Sequence, residues 1–191
     1  VDWIIQADEE IQQEHDTWRF MVGEFTIDTV VGDGSYGPAD CVVPLTNFRD
    51  WKLETLKIYQ SSIGVADESP LRYVDYQYWY ERYNTGSLTN QRPLHFAVGN
   101  DLSLKLGPRP GAVYRISGEY QKSVTSLAAD TDVPTYPSEF HMLPVYLGMM
   151  KYGRYTGASE VYGDGERLYN KMIFRMERTQ LPRKRLARPL A

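Results

Sequence analysis

An α+β fold is predicted for this chain: an α-helical bundle core, an antiparallel β-unit inserted into it, and an extended basic C-terminal arm. Three observations carry the prediction. Apolar residues recur at helical spacing at the start, at a period of two through the middle, and at helical spacing again near the end. The long N-terminal helix is then expected to pack on the two C-terminal ones, with the β-unit projecting between them. The expected boundaries are 1–22 and 137–180 for the core, 23–136 for the insertion with a short helix near 75–83, and 181–191 for the arm. With 191 residues, 42% of them apolar, the chain can bury a proper core and is not a disordered protein.

The first helix is expected from about 2 to 21. Ile4, Ala7, Ile11, Trp18 and Val22 follow steps of three, four and seven, while Asp8, Glu9, Gln12, Gln13 and Asp16 fill the opposite face. Gly23 is a suitable stop. From Phe25 the period becomes two, and FTIDTVV, CVV and KLETLKIYQ read as strands, with Leu56 and Ile58 on one face. Gly32, Gly34, Gly37 and Pro38 mark turns between the first pieces. PLRYV reads as a further short strand, after which Asp75 is placed to cap the helical segment DYQYWYERY. HFAVG and DLSLKLG form a hairpin around Gly99, Asn100 and Asp101, putting Leu102, Leu104 and Leu106 on one side. AVYRISGEYQKS alternates so that Tyr114, Ile116 and Tyr120 fall together.

Helical spacing returns in PSEFHMLPVYLGMMKYGRYTG, with Phe140, Leu143, Leu147 and Met150 on one face and Pro144 expected to kink the early turns. The last helix carries Val161, Leu168, Met172 and Met176. Gly163 and Gly165 lie inside it at a cost of about 1 kcal/mol each against alanine, so it is expected to begin after them. Pro182 ends it. The residues expected to build the helical core are Ile4, Ile11, Trp18, Phe140, Leu147, Leu168 and Met172.

Charge is distributed unevenly. The segment RTQLPRKRLARPLA, 178–191, holds five of the chain's 21 Lys/Arg and no acid. The other residues therefore carry 16 basic groups against 25 acidic ones, −9 beside the tail's +5. An acidic body argues against broad binding to nucleic acid, which depends on many phosphate contacts. No apolar run approaches the roughly 20 residues needed to cross a bilayer, and no basic-then-apolar leader opens the chain, so it reads as soluble. Cys41 stands alone, which excludes an internal disulfide and a Cys-rich zinc site and fits a reducing compartment. Val1 enters directly into the helical pattern, which implies that residues naturally precede it.

Chemistry has little purchase on this sequence. His15, His95 and His141 fall on three separate elements, and none has a second His or Cys at metal-ligand spacing, so no metal or other cofactor is expected. No G-x-S-x-G turn anchors a nucleophile, and no catalytic residue is assigned. The two GDG triplets, 32–34 and 163–165, lack the surroundings of a phosphate or calcium loop and read as turns. The carboxylate pairs Glu9 with Glu10 and Asp164 with Glu166 read as solvated surface. The aromatic run from Tyr73 to Tyr83, with Tyr76, Tyr78, Trp79 and Tyr80, is less bland. One reading is a binding face for sugars, bases or a partner; the favoured one is the seam where the β-unit packs on the helices, since a small insertion needs large side chains to fill its core.

The order of parts and several phrases resemble the head–tail adaptor proteins of tailed bacteriophages. The carriers are VDWIIQADEEIQQEHDTWRFM with Trp18, Arg19 and Phe20 closing the first helix, RPLHFAVGNDLSLKLGPRPGAVYRISGEYQKSV, and DVPTYPSEFHMLPVYLGMMKYGRYTG with Pro137, Glu139, Phe140 and His141. The resemblance implies a structural virion protein and not an enzyme: a ring, usually of twelve copies, under the portal at the head–tail junction, assembled in the host cytoplasm. Its implied partners are the portal, neighbouring adaptor subunits and the next neck or tail protein. Packaged DNA would pass through its channel without sequence-specific binding, and no membrane is involved. A virion-associated cell-wall hydrolase and a carbohydrate-binding module built on the Tyr73–Tyr83 aromatics stand as alternatives.

In some members of that family the C-terminal segment inserts along the portal. Carried over to this chain, that role falls on Leu181, Arg183, Lys184, Arg185, Leu186, Arg188 and Leu190. Pro182 and Pro189 prevent one regular helix, and Leu181, Leu186 and Leu190 give apolar anchors that a bare electrostatic tail would not need. A contact to DNA phosphates, a solvated terminus and a membrane-surface patch rank below a docking arm.

Overall fold

In the computed structural model residues 2–86, 90–129 and 131–182 are described. The elements in chain order are α1 (Asp2–Gln13), β1 (Val22–Asp28), β2 (Ser35–Tyr36), β3 (Phe48–Trp51), β4 (Lys57–Gln60), β5 (Ser69–Pro70), β6 (Arg72–Tyr73), α2 (Tyr76–Tyr83), β7 (Asn90–Gln91), β8 (His95–Val98), β9 (Leu104–Gly107), β10 (Arg109–Pro110), β11 (Tyr114–Lys122), α3 (Leu143–Thr156) and α4 (Ser159–Gln180). The fold is mixed α+β, and the chain divides into two compact units. One is formed by the described parts of Val1–Val22 and Ser123–Ala191, the other by Gly23–Lys122.

The helical unit packs α1 on α3 and α3 on α4. Its core joins Ile11, Trp18, Met21, Tyr136, Phe140, Leu143, Ile173 and Met176. α1 stops at Gln13, well short of 21, because the chain folds back and the Trp18 indole N–H donates to the Ile11 carbonyl at 3.0 Å. A 3₁₀ turn, Arg19–Met21, follows before β1. Residues 123–136, expected in the insertion, belong with the helices: Val124 and Tyr136 pack into the helical core. Pro144 does not kink α3; it sits in the first turn, where its missing N–H has no helical partner to lose.

α4 begins at Ser159 and runs through Gly163 and Gly165 without a break, so the second GDG triplet is helix and not a turn. The reason is a close helix crossing. A Cβ at Gly165 would lie 3.0 Å from the Tyr146 carbonyl oxygen and 3.1 Å from Met150, and one at Gly153 would lie 2.7 Å from the Tyr162 backbone nitrogen. Tertiary contact here outweighs the weak helix propensity of glycine. Gly157, in the left-handed region at φ 73°, turns α3 into α4.

The β-unit holds a five-stranded sheet, β1-β11-β4-β5 with β3 also paired to β11, a four-stranded sheet, β2-β9-β8-β6, and the β7–β10 pair. It is not wholly antiparallel: β6 pairs with β8 and β10 with β7 in parallel. Ile58 and Ile116 stand opposite one another in the β4–β11 ladder, and Leu106 opposite Phe96 in β8–β9, so each alternating pattern delivers its apolar face to one shared core. Several expected details differ: β1 ends at Asp28, and β4 covers only Lys57–Gln60 of KLETLKIYQ. Cys41–Val43 form no strand; the Val42 N–H donates to the Thr26 carbonyl, which buries Cys41 and exposes Val42 and Val43. Leu102 does not share the face of Leu104 and Leu106, since it occupies the hairpin turn at φ 58° and is exposed.

Candidate assembly surfaces

The helical unit supplies the root of the basic segment. Leu181 caps α4, its N–H donating to the Glu177 carbonyl at 3.0 Å, and its side chain packs against the helical core. Arg19 reaches the Thr179 carbonyl at 3.4 Å from the turn after α1. Arg183, Lys184, Arg185, Leu186, Arg188 and Leu190 lie outside the described residues.

Among the expected core positions, Ile11, Trp18 and Phe140 are fully buried, and Leu147 and Met172 pack against the same core. Leu168 is half-buried, and Ile4, beside Gly148 of α3, is 40% exposed. The crossing at Gly165 sets the phase of α4, so Ile173 and Met176 take the innermost places and Leu168 moves to the edge.

The aromatic helix α2 divides by face. Asp75 caps it, accepting from the Gln77 N–H at 2.9 Å. Trp79 is buried and donates its indole N–H to the Leu106 carbonyl at 2.9 Å. Tyr83 lies 2.9 Å from His95 Nδ1 through its hydroxyl and covers Gly107, where any Cβ would run into its ring. Tyr76 is half-buried and stacked on Trp79 at 5.8 Å. Tyr73, Tyr78 and Tyr80 are exposed. The run thus contributes Trp79 and Tyr83 to packing within the β-unit and leaves three tyrosines on its surface.

Two polar groupings escaped sequence reasoning because their members are far apart in the chain. Asp8 and Gln12, expected on the solvated side of α1, are buried. The Tyr136 hydroxyl and the Gln12 amide donate to the two Asp8 carboxylate oxygens at 2.8 and 2.7 Å, and Gln12 also pairs with both backbone groups of Thr125. Segment 123–136 is pinned across α1 by these bonds. Burial raises the Asp8 carboxyl above its ordinary value, with the Tyr136 and Gln12 hydrogen bonds opposing, and burial likewise raises the Tyr136 phenol.

The second grouping is Glu14, His15 and Glu177, whose ligand-capable atoms all lie within 4.8 Å of one another. These are the residues among those described that are placed to hold a metal ion. In the structure His15 Nε2 lies 3.3 Å from Glu177, and the Tyr169 hydroxyl donates to Glu14 at 3.2 Å. The surface carboxylates of the sequence pattern are engaged singly. Glu10 accepts from Lys151 at 2.6 Å, Asp164 from Arg167 at 3.4 Å, and Glu166 from the Tyr162 hydroxyl at 3.5 Å. The first GDG triplet is a turn, with Gly32 at φ 83° and Asp33 accepting from the Ser35 N–H.

The helical unit also exposes aromatic area. Trp3 of α1 contacts Tyr152 and Tyr155 of α3, ring centroids 5.7 and 5.4 Å away, and the Tyr155 side chain is 79% exposed. Trp3 and Tyr155, together with Leu147, Met150 and Tyr162, line an open groove of about 510 Å³, rimmed by Gln6, Glu10, Lys151 and Arg154. On α4, Phe174 is 58% exposed, with the Arg178 guanidinium 5.8 Å from its ring centre. Among the described residues, no helix is long and apolar enough to cross a membrane.

Comparison with known proteins gives one family. A family model described as SU10 adaptor protein matches residues 1–190. No curated protein matches the chain.

Proposed function

The chain belongs to the SU10 adaptor protein family, and from that premise we propose that it is a structural head–tail adaptor of a tailed phage. It forms a ring, dodecameric on the family pattern, under the portal, extends the DNA channel and offers a platform to the next neck or tail protein. Its C-terminal segment docks on the portal, Arg183, Lys184, Arg185 and Arg188 pairing with acidic groups there while Leu181, Leu186 and Leu190 supply the apolar hold. The observation that carries this reading is the extent of the family match, which runs through both compact units and nearly to the last residue. The acidic body supports a channel lining that does not grip passing DNA.

Mass measurement by sedimentation, on the protein alone and after mixing with its portal, tests the proposal. A high-copy assembly on the portal is the expected result, and deletion of 182–191 should leave a folded protein that no longer binds. Absence of any complex with the intact chain would sink the adaptor role, and unchanged binding by the deletion would sink the arm. The carbohydrate-binding alternative retains one supporting observation, the exposure of Tyr73, Tyr78 and Tyr80. A glycan-binding screen with the purified protein decides it.

A further inference from the structure

We propose that the helical units of neighbouring copies join by a heterologous contact in which the Phe174 face of α4 on one copy enters the Trp3 groove between α1 and α3 on the next. This rests on the ring reading above and names the two faces that build it.

Both faces belong to the same unit and are distinct. Tyr162, at the groove, and Phe174 are twelve residues apart on α4. At about 1.5 Å and 100° per residue that separates them by roughly 18 Å along the axis and turns them by about 120°. A copy therefore offers the groove on one side and the phenyl ring on another. Two different, complementary patches on one subunit generate rings or open filaments, whereas a self-complementary patch would stop at a dimer.

The apolar parts match. The groove has Leu147 and Met150 along it and the Trp3 and Tyr155 rings at its side, leaving room for a phenyl ring. Phe174 is a large apolar side chain in the middle of an otherwise polar helix face, and contact within its own unit leaves most of it in water. A thioether, an indole and a phenol are suited to receive it.

Charge decides the occupant. Around Phe174 the exposed charged residues of α4 are Lys171, Arg175 and Arg178, while Arg167 is engaged by Asp164 and Glu177 by His15, and the sequence has no acid between Glu166 and Glu177. Beside the groove the outer face of α1 carries Asp2, Glu9 and Glu10, with Gln6 and Gln13 between them and no basic residue from Asp2 to Gln13. At the rim Glu10 is held by Lys151 and the Arg154 guanidinium lies 5.8 Å from the Tyr162 ring centre, so Asp2 and Glu9, on α1 outside the groove lining, are the acids left to meet a basic strip. An acidic helix face and a basic one on the same subunit attract between copies and orient the contact head to tail.

The test uses the full chain and follows assembly by sedimentation velocity, alone over a concentration series and on its portal. Phe174 is exposed, so Phe174→Glu should keep the native circular dichroism while weakening ring formation on the order of tenfold or more. The pair Lys171→Glu with Arg178→Glu should do the same, and adding Asp2→Lys with Glu9→Lys to that chain should restore the ring. Ile63→Ala, at an exposed position on the β-unit, should leave assembly unchanged. If the unaltered chain forms a ring and these variants form it equally well, the proposed faces are wrong and the ring reading stands. If the unaltered chain forms no higher assembly alone or on the portal, both fall.

Discussion

Among the described residues the β-unit buries Ile27, Phe96, Leu104, Leu106 and Ile116 with only uncharged polar side chains, Thr29, Ser103 and Gln121, whereas the helical unit buries the Asp8 carboxylate with Gln12 beside Ile11 and Trp18. The difference follows from what each unit must hold. Alternating strands place their apolar faces together once register is set, and backbone ladders satisfy their polar groups. The helical unit must also hold the described residues of 123–136, which form no helix or strand before the turn at Ser138–Phe140, and it does so with side-chain hydrogen bonds from α1. Buried polar groups that fix irregular backbone make that unit sensitive to protonation.

Acid consequently acts on the two units with opposite sign. In the β-unit the Arg115 hydrogen bonds hold the Asp28 carboxyl below its ordinary value, Arg92 does the same for Asp67, and the Ser103 hydroxyl and N–H bring Asp101 down to about 2. Groups lowered by folding contribute stability that is present above the unfolded value of 3.8 and lost as pH falls through the folded one. Asp8 is raised, so the folded helical unit binds its proton more readily than the unfolded chain. Its burial opposes folding at neutral pH, and that opposition is relieved as pH falls through the raised value towards 3.8.

The comparison is broken most forcefully through the cores. Phe96→Ala in the β-unit and Phe140→Ala in the helical unit should each cost about 3–5 kcal/mol, read by denaturant unfolding, with hydrogen exchange reporting which unit loses protection. Equal loss of protection in both units from either variant would erase the distinction between them. A smaller effect, about 1–3 kcal/mol, is expected for Gly153→Ala, because the new methyl meets fixed backbone at Tyr162 and Ala158. Gly163→Ala, where a Cβ meets nothing within 4 Å, is the control and should stabilise slightly. The smallest effect sharpens the electrostatic contrast. From pH 7 towards pH 4 the unaltered chain should gain stability relative to Asp8→Asn, and parallel pH profiles for the two would mean that Asp8 is not raised.

Several features were legible in the sequence because they depend on near neighbours. The Asp75 cap, the β8–β9 hairpin, the alternation that buries Tyr114, Ile116 and Tyr120, and the end of α4 ahead of Pro182 follow from spacing and turn chemistry alone. The end of α1 was not legible, since the bond from Trp18 to Ile11 that closes it competes with a helical pattern that continues past it. Nor was the burial of Asp8, whose partner Tyr136 is 128 residues away. The surfaces divide in the same way. The basic segment and the aromatic run stand out by composition, but only packing separates Trp79 and Tyr83 from Tyr73, Tyr78 and Tyr80, and only packing leaves Phe174 in water.

The sequence by itself determined the succession of helix, strands and helices, the acidic body with its basic end, and the likeness to the adaptor family, because period, charge and phrase order are properties of a linear chain. The tertiary structure decided that α4 keeps its glycines, that two strand pairs run parallel, and that α1 buries a carboxylate. Each of these turns on which distant atoms lie within about 3–4 Å, where close packing and hydrogen bonding outweigh a local preference of about 1 kcal/mol per residue.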